Sequence, residues 1–353
     1  MKAAVWHGRR DVRIEGVDDP PAPPQGQVQV KVEWCGICGT DLHEYTSGPV
    51  YIPVDKPHPL TGVQAPVIIG HEMSGRVTQV GDGVKDFKVG DRVAVCPIIG
   101  CGTCRWCLSG SMAQCDKVAF LGTSWTGGAL AGKVNLNAYQ CYHIPDNMSY
   151  ETGALVEPFS SVVRAVRQHA PGPDDKVAVV GAGPIGLMAI MTARILGVKS
   201  VTAVEMQGRR IDAARAAGAE KVINPATENA EERARELTDG QGFDLVMECV
   251  GQPATVFLAS RISRTRGHLT IMGVFDKPAA LDMFDLVFRE KSVSGSMSGY
   301  GMYQESIEMM THPLFRADLL ITDRIALDEL VDKGIHQLIE HKASVIKILV
   351  QTS

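Results

Sequence analysis

No window of the 353-residue chain reaches the roughly 20 apolar residues that span a bilayer, so a membrane protein is not expected. Blocks of five or six Lys or Arg are also missing, and 35 basic residues against 40 acidic ones give a formal charge of -5. A nucleic-acid partner needs a basic footprint, and none is present. The opening Met1-Lys2-Ala3-Ala4-Val5-Trp6-His7 has no apolar secretory core, which leads to the expectation of a cytoplasmic protein with reduced thiols. Repeats and low-complexity tracts are lacking, which excludes solenoids and disordered linkers. What remains, with 45% hydrophobic and 21% charged residues, is an ordinary globular composition. The length exceeds what one core sustains, so two domains are expected.

The style of the chain changes midway. Up to about Pro145 it consists of short β-branched runs broken by Gly and Pro, such as Gln27 to Val32 and Arg92 to Val95, which read as mainly β. From Lys176 a buried apolar strand (Lys176 to Val180), a glycine turn and a helix from Pro184 to Leu196 form a βα unit. Strands at 200–204, 221–223 and 243–247 alternate with helical stretches, the pattern of a parallel sheet covered on both faces. A Gly/Ser/Met-rich stretch to Met302 precedes further helices and a last strand at 345–350, a tail expected to return to the first domain.

Gly181-Ala182-Gly183-Pro184-Ile185-Gly186 is a G-x-G-x-x-G motif placed directly after a strand and at a helix start. There the first glycine makes the turn, the second admits a pyrophosphate and the third lets helix pack on strand. The helix N-terminus offers amides to the phosphates. Glu205 follows at the end of the next strand, where a carboxylate accepts from the adenine-ribose hydroxyls and repels a 2′-phosphate. NAD is therefore expected, although Arg209 and Arg210 keep NADP open.

Nine cysteines would be unusual as disulfides in such a chain, and six of them cluster. Cys101-x2-Cys104-x2-Cys107-x7-Cys115 supplies four thiols from one loop, which suits a closed, structural zinc better than an iron-sulfur cluster. A second set is scattered: Cys35-Gly36-Ile37-Cys38-Gly39-Thr40-Asp41-Leu42-His43, Gly70-His71-Glu72 and Val156-Glu157-Pro158. Singly, each fits a bland role, a buried histidine or a helix-entry glutamate.

Together and in this order these residues resemble the zinc-containing medium-chain dehydrogenase/reductase family along essentially the whole chain. The resemblance implies an α/β protein: a GroES-like mainly-β catalytic domain (1–157 with 298–353) and a Rossmann doubly wound parallel sheet (158–297), with a cleft between them. It carries the catalytic zinc ligands onto Cys38, His71, Glu72 and Glu157, and leaves Cys35 as a non-ligand. Two zinc ions per chain follow, one catalytic and one structural. A zinc held by three protein groups keeps a position for a substrate oxygen. Thr40 and His43 occupy the places of a hydroxyl-to-imidazole proton relay, and Asp41 is placed to orient the ligands. Gly181, Gly183, Pro184, Ile185, Gly186, Glu205 and Arg210 are the expected cofactor residues. A homotetramer or homodimer is implied.

Asp41 to Tyr45, Gly48-Pro49 and the long insert Ile52 to Gly62 resemble the 2,3-butanediol branch of the family, as does Leu155 to Pro158. The implied reaction moves a hydride between NAD and a small secondary alcohol, 2,3-butanediol giving acetoin, with R,R stereochemistry favoured by resemblance alone. Sorbitol, L-threonine and general secondary alcohols are the alternatives. A zinc-free reductase, a structural protein of the same fold or a zinc-binding regulatory module leaves the scattered ligands or the glycine motif unexplained. One departure stands out: Gly128-Ala129-Leu130-Ala131-Gly132-Lys133 replaces the usual Gly-Phe-Ala-Glu-Tyr. Trp125, after Thr123 and Ser124, either walls the substrate pocket or covers the zinc loop.

Overall fold

The computed structural model describes residues 1–341 and 343–352. They form two compact units, one of Met1–Pro158, Tyr303–Ile307 and Ile321–Ser353, the other of Phe159–Met302 and Glu308–Leu320.

The first unit is built on a seven-stranded sheet whose long central strand, Gln27–Gly36, buries Val28, Val30 and Val32 at alternate positions, the period-two pattern of a half-buried strand. This strand pairs antiparallel with Glu72–Val80, and the register sets Gly36 opposite Glu72 and Cys35 opposite Met73. On its other side lies Lys347–Gln351, with Leu349 opposite Gly36. Three distant pieces of sequence thus meet at one end of the sheet. The last strand begins at Lys347, with Val345 and Ile346 buried just ahead of it. A three-stranded sheet led by Lys2–Gly8 packs beside it.

The second unit holds six parallel strands in the order Lys221–Ile223, Ser200–Val204, Lys176–Val180, Phe243–Glu248, Ser263–Ile271 and Ser292–Gly295. This is the doubly wound arrangement. Val177, Ala178 and Val179 are fully buried, as a central parallel strand covered on both faces requires. The chain reverses direction of winding on either side of Lys176–Val180, and such sheets bind ligands beyond the strand ends at that point. Among the described residues no helix is long and apolar enough to cross a membrane.

Candidate active site and zinc centres

Cys38 caps the helix Gly39–Ser47, and the Asp41 carboxylate accepts its backbone N–H at 2.9 Å. That capping fixes where the thiol points. His71 and Glu72 follow the Gly70 turn, which has φ +94°, and a Cβ at position 70 would stand 2.7 Å from the Leu130 backbone nitrogen. Only glycine fits there. The result brings one donor atom each of Cys38, His71 and Glu72 within 4.8 Å of one another.

The charges around this trio favour a cation. Burial by itself lowers the His71 pKa, but the neighbouring Cys38, Asp41 and Glu157 outweigh it and hold the imidazole well above its usual range. A thiol, an imidazole and a carboxylate are donor types that zinc accepts. Asp41 Oδ1 lies 3.9 Å from His71 Nδ1, an electrostatic contact and not a hydrogen bond. Burial pushes Asp41 up as well. Glu157, in the first turn of Val156–Gln168, stands outside the mutually close trio, yet its charge is felt by His71. Desolvation raises its carboxyl to about 7. Cys35 is fully buried and its thiol is pushed well up by desolvation.

Sequence reasoning missed Lys347. Its ammonium donates to Glu72 Oε1 at 2.6 Å and to the Ile37 carbonyl at 2.9 Å, and both side chains of the ion pair are buried. Burial lowers the Lys347 pKa, but Glu72 and Cys38 more than offset it, so the amine stays charged above its ordinary 10.5. Gly36 makes room for the pair, since a Cβ there would stand 2.2 Å from Glu72 Oε2. The available signal was a lone lysine inside the apolar run Val345 to Val350.

Thr40 and His43 are three residues apart on the same helix and so share a face. Thr40 Oγ1 is 3.6 Å from Cys38 Sγ.

Cys101, Cys104, Cys107 and Cys115 gather their sulfurs within the same 4.8 Å limit. Four sulfurs about 2.3 Å from one zinc would stand about 3.8 Å apart. The contacts Cys101–Cys107 at 4.0 Å and Cys104–Cys107 at 3.6 Å match that spacing and are far too long for a disulfide. All nine cysteines are free. Backbone N–H groups of Cys104 and Lys117 point at Cys101 and Cys115 sulfurs, both at 3.3 Å, and the Thr103 hydroxyl helps pull Cys101 down to about 6. Thiolates are the form that binds metal.

In the second unit Gly181 has φ +91°, and a Cβ on Gly186 would lie 1.8 Å from the Gly181 carbonyl oxygen. Gly183 differs: nothing but Arg210 Nη1, at 3.9 Å, approaches the place of its missing Cβ. That open face at the N-cap of the helix Pro184–Ile195 suits a phosphate. Pro184 and Ile185 form its first turn. Glu205 accepts from Ala182 N–H at 2.8 Å, Met206 N–H at 2.8 Å and Gln207 N–H at 2.9 Å. A carboxylate has about four lone-pair sites, so capacity for a ribose hydroxyl remains.

The departing segment packs soundly. Ala129, Leu130 and Ala131 are fully buried, Ala4 N–H donates to Leu130 O at 2.8 Å, and Lys133 pairs with Asp19 at 2.7 Å. Trp125 donates to the Asn135 carbonyl at 3.2 Å and lines a surface cavity of about 780 Å³ with Lys133 and Asn135.

Comparison with known proteins agrees with this geometry. Residues 24–146 match the alcohol dehydrogenase GroES-like domain and residues 184–312 the zinc-binding dehydrogenase domain. The chain is 40% identical over 351 residues to the (R,R)-butanediol dehydrogenase of Bacillus subtilis, covering 99% of each. It is 33% identical to a sorbitol dehydrogenase of the same organism, covering 99% of this chain and 97% of the relative. The crystal structure of 2R,3R-butanediol dehydrogenase from Bacillus subtilis superposes with a TM-score of 0.93 at 38% identity, covering 100% of this chain and 99% of that one. The chain therefore belongs to the zinc-dependent medium-chain alcohol dehydrogenases, enzymes that transfer a hydride between a nicotinamide cofactor and an alcohol.

Proposed function

We propose that this enzyme interconverts (R,R)-2,3-butanediol and acetoin with NAD. The observation that carries the chemistry is the close trio of half-buried Cys38 and buried His71 and Glu72. The substrate assignment leans on the likeness to butanediol dehydrogenases over the full chain. In the forward direction the carbinol carbon gives a hydride to the nicotinamide ring and the hydroxyl gives a proton to solvent. Cys38, His71 and a carboxylate of Glu72 or Glu157 would hold the catalytic zinc, whose Lewis acidity lowers the pKa of a bound alcohol. Thr40 would accept the hydroxyl proton while handing on its own, and His43 would release a proton outward, a task suited to an imidazole. Cys101, Cys104, Cys107 and Cys115 hold a second, structural zinc, which makes two per chain. Gly181, Gly183 and Gly186 admit the pyrophosphate, Arg210 stands beside it and Glu205 selects NAD over NADP.

A homodimer or homotetramer suits the second unit, which leaves Met283, Phe284, Val287 and Phe288 64–73% exposed just before the edge strand Ser292–Gly295. Patches of this kind mark association surfaces. Nine free thiols accord with a cytoplasmic setting.

The test is reduction of NAD and of NADP with R,R-, S,S- and meso-2,3-butanediol, sorbitol, L-threonine and 2-propanol, before and after chelation. The R,R diol leading with NAD, and activity vanishing with the metal, is the expected result. Sorbitol leading by tenfold would move the enzyme to the polyol branch, which the sorbitol dehydrogenase relative represents.

A further inference from the structure

Glu44 is a buried carboxylate that none of the chemistry above uses. It sits near the C-terminal end of the helix Gly39–Ser47, the same helix that carries Thr40 and His43, and is only 1% exposed. A carboxylate is disfavoured at that helix end, and a buried charge is costly unless hydrogen-bonded. The compensation comes from the chain just beyond the helix. Tyr51 and Ile52 donate their backbone N–H groups to Oε1, Ile52 at 3.1 Å, and Val50 donates to Oε2 at 3.0 Å. Gly48 is required for this closure, since a Cβ there would stand 2.7 Å from Glu44 Oε2.

The turn so fixed sends Ile52 into the core but leaves its neighbour outside. Ile52 is buried, but Tyr51 remains 46% exposed, with its ring centroid 6.4 Å from that of Phe120 at a 56° tilt. The rest of the insert is strapped to the same neighbour: His58 Nε2 donates to Val118 O at 3.2 Å and Thr61 Oγ1 to Ser124 O at 2.6 Å. Segment 118–124 in turn backs on the catalytic turn, because a Cβ on Gly122 would lie 2.2 Å from the carbonyl oxygen of Gly70, the residue before His71. A continuous line of contacts therefore joins Glu44, Tyr51, Phe120 and the zinc-site turn.

We infer that Glu44 is a positioning residue for specificity: it seats Val50 to Ile52 so that Tyr51, with Phe120, walls the carbon chain of the alcohol and limits its size. This rests on the secondary-alcohol reading above.

Glu44→Gln keeps the shape but offers one acceptor oxygen where three N–H groups need two, so the turn loosens. Glu44→Gln, Tyr51→Ala and the double variant would be compared by kcat and KM on R,R-2,3-butanediol and sorbitol. Zinc per chain and hydrogen exchange of the 48–52 segment would be measured alongside. Each single variant is expected to raise the sorbitol-to-butanediol ratio of kcat/KM about tenfold, the scale on which a pocket wall discriminates by size. The double variant should match Tyr51→Ala alone, because Glu44 acts through Tyr51. Exchange should quicken in Glu44→Gln with zinc content unchanged. A ratio that stays put in an active enzyme, a loss equal for both substrates, or effects that multiply would overturn the inference. Wild-type protein inactive on every alcohol would instead overturn the functional reading beneath it.

Discussion

Replacing Lys347 by Met should loosen the end of the sheet that bears Glu72. Lys347 and Glu72 are 5% and 1% exposed, so solvent screens them little. Removing one member of a buried pair leaves the other charge uncompensated, at a cost of about 3–5 kcal/mol. The Ile37 carbonyl also loses its donor. The assay is hydrogen exchange in peptides covering Glu72–Val80 and Lys347–Gln351, which reads local opening without assuming that a two-unit chain unfolds in one step. At about 1.4 kcal/mol per decade, exchange limited by local opening should quicken about 100-fold or more. Adding Glu72→Gln removes the stranded charge and should restore at least half of the loss. The pH dependence follows from the raised Lys347 pKa. A base whose folded pKa exceeds its unfolded value contributes fully below the unfolded value and fades as pH climbs through the folded one. The wild-type pair is thus complete throughout the neutral range and weakens only above about 10.5. Exchange within twofold of wild type, or a double variant no better than the single, would refute the reasoning.

Cys107→Ser should reduce zinc from two ions to one per chain. It should also lower Tm by about 10 °C, roughly 3 kcal/mol at a few degrees each, as seen by elemental analysis and calorimetry. Gly186→Ala places a methyl 1.8 Å from the Gly181 oxygen and should cost about 1–3 kcal/mol of stability. NADH binding, followed by fluorescence, should weaken about tenfold as the loop shifts. Chelator-stripped enzyme should release a proton on taking up zinc, and its zinc affinity should fall as pH drops through the raised range of His71, because the metal needs the neutral imidazole. Calorimetric titration in two buffers of different ionisation heat reads that proton directly.

Much of the second unit was legible in the chain because its parallel strands are short and rich in apolar residues. Lys176–Val180, Ser200–Val204 and Lys221–Ile223 begin and end where the patterning puts them, and the glycine motif sits at the turn its spacing requires. The four-cysteine loop was equally plain, since its members are neighbours in sequence. The scattered candidate set was harder. Cys38, His71 and Glu157 are separated by long stretches and only family resemblance grouped them; the structure gathers Cys38 and His71 with Glu72 and leaves Glu157 outside that close group. Lys347 escaped because its partner is set by register between strands far apart in sequence, which no local pattern encodes. Glu44 escaped for a related reason: in the sequence it is one more polar helix residue, and its burial arises only when the following turn folds back over it.

The strand Lys347–Gln351 lies beside Gln27–Gly36, and the contact from Lys347 to Ile37 spans 310 residues of sequence. On a ribosome adding about 5–20 residues per second, that separation is an interval of roughly 15 to 60 s. For most of it the newborn first unit has Cys38, His71 and Glu72 already made, a bare strand edge, and no ammonium to occupy Glu72. Sheet closure and the charge balance around Glu72 then arrive in a single event. Before that event Glu72 stands without its ammonium partner, so the group of Cys38, His71 and Glu72 is more anionic in the newborn chain than in the finished one.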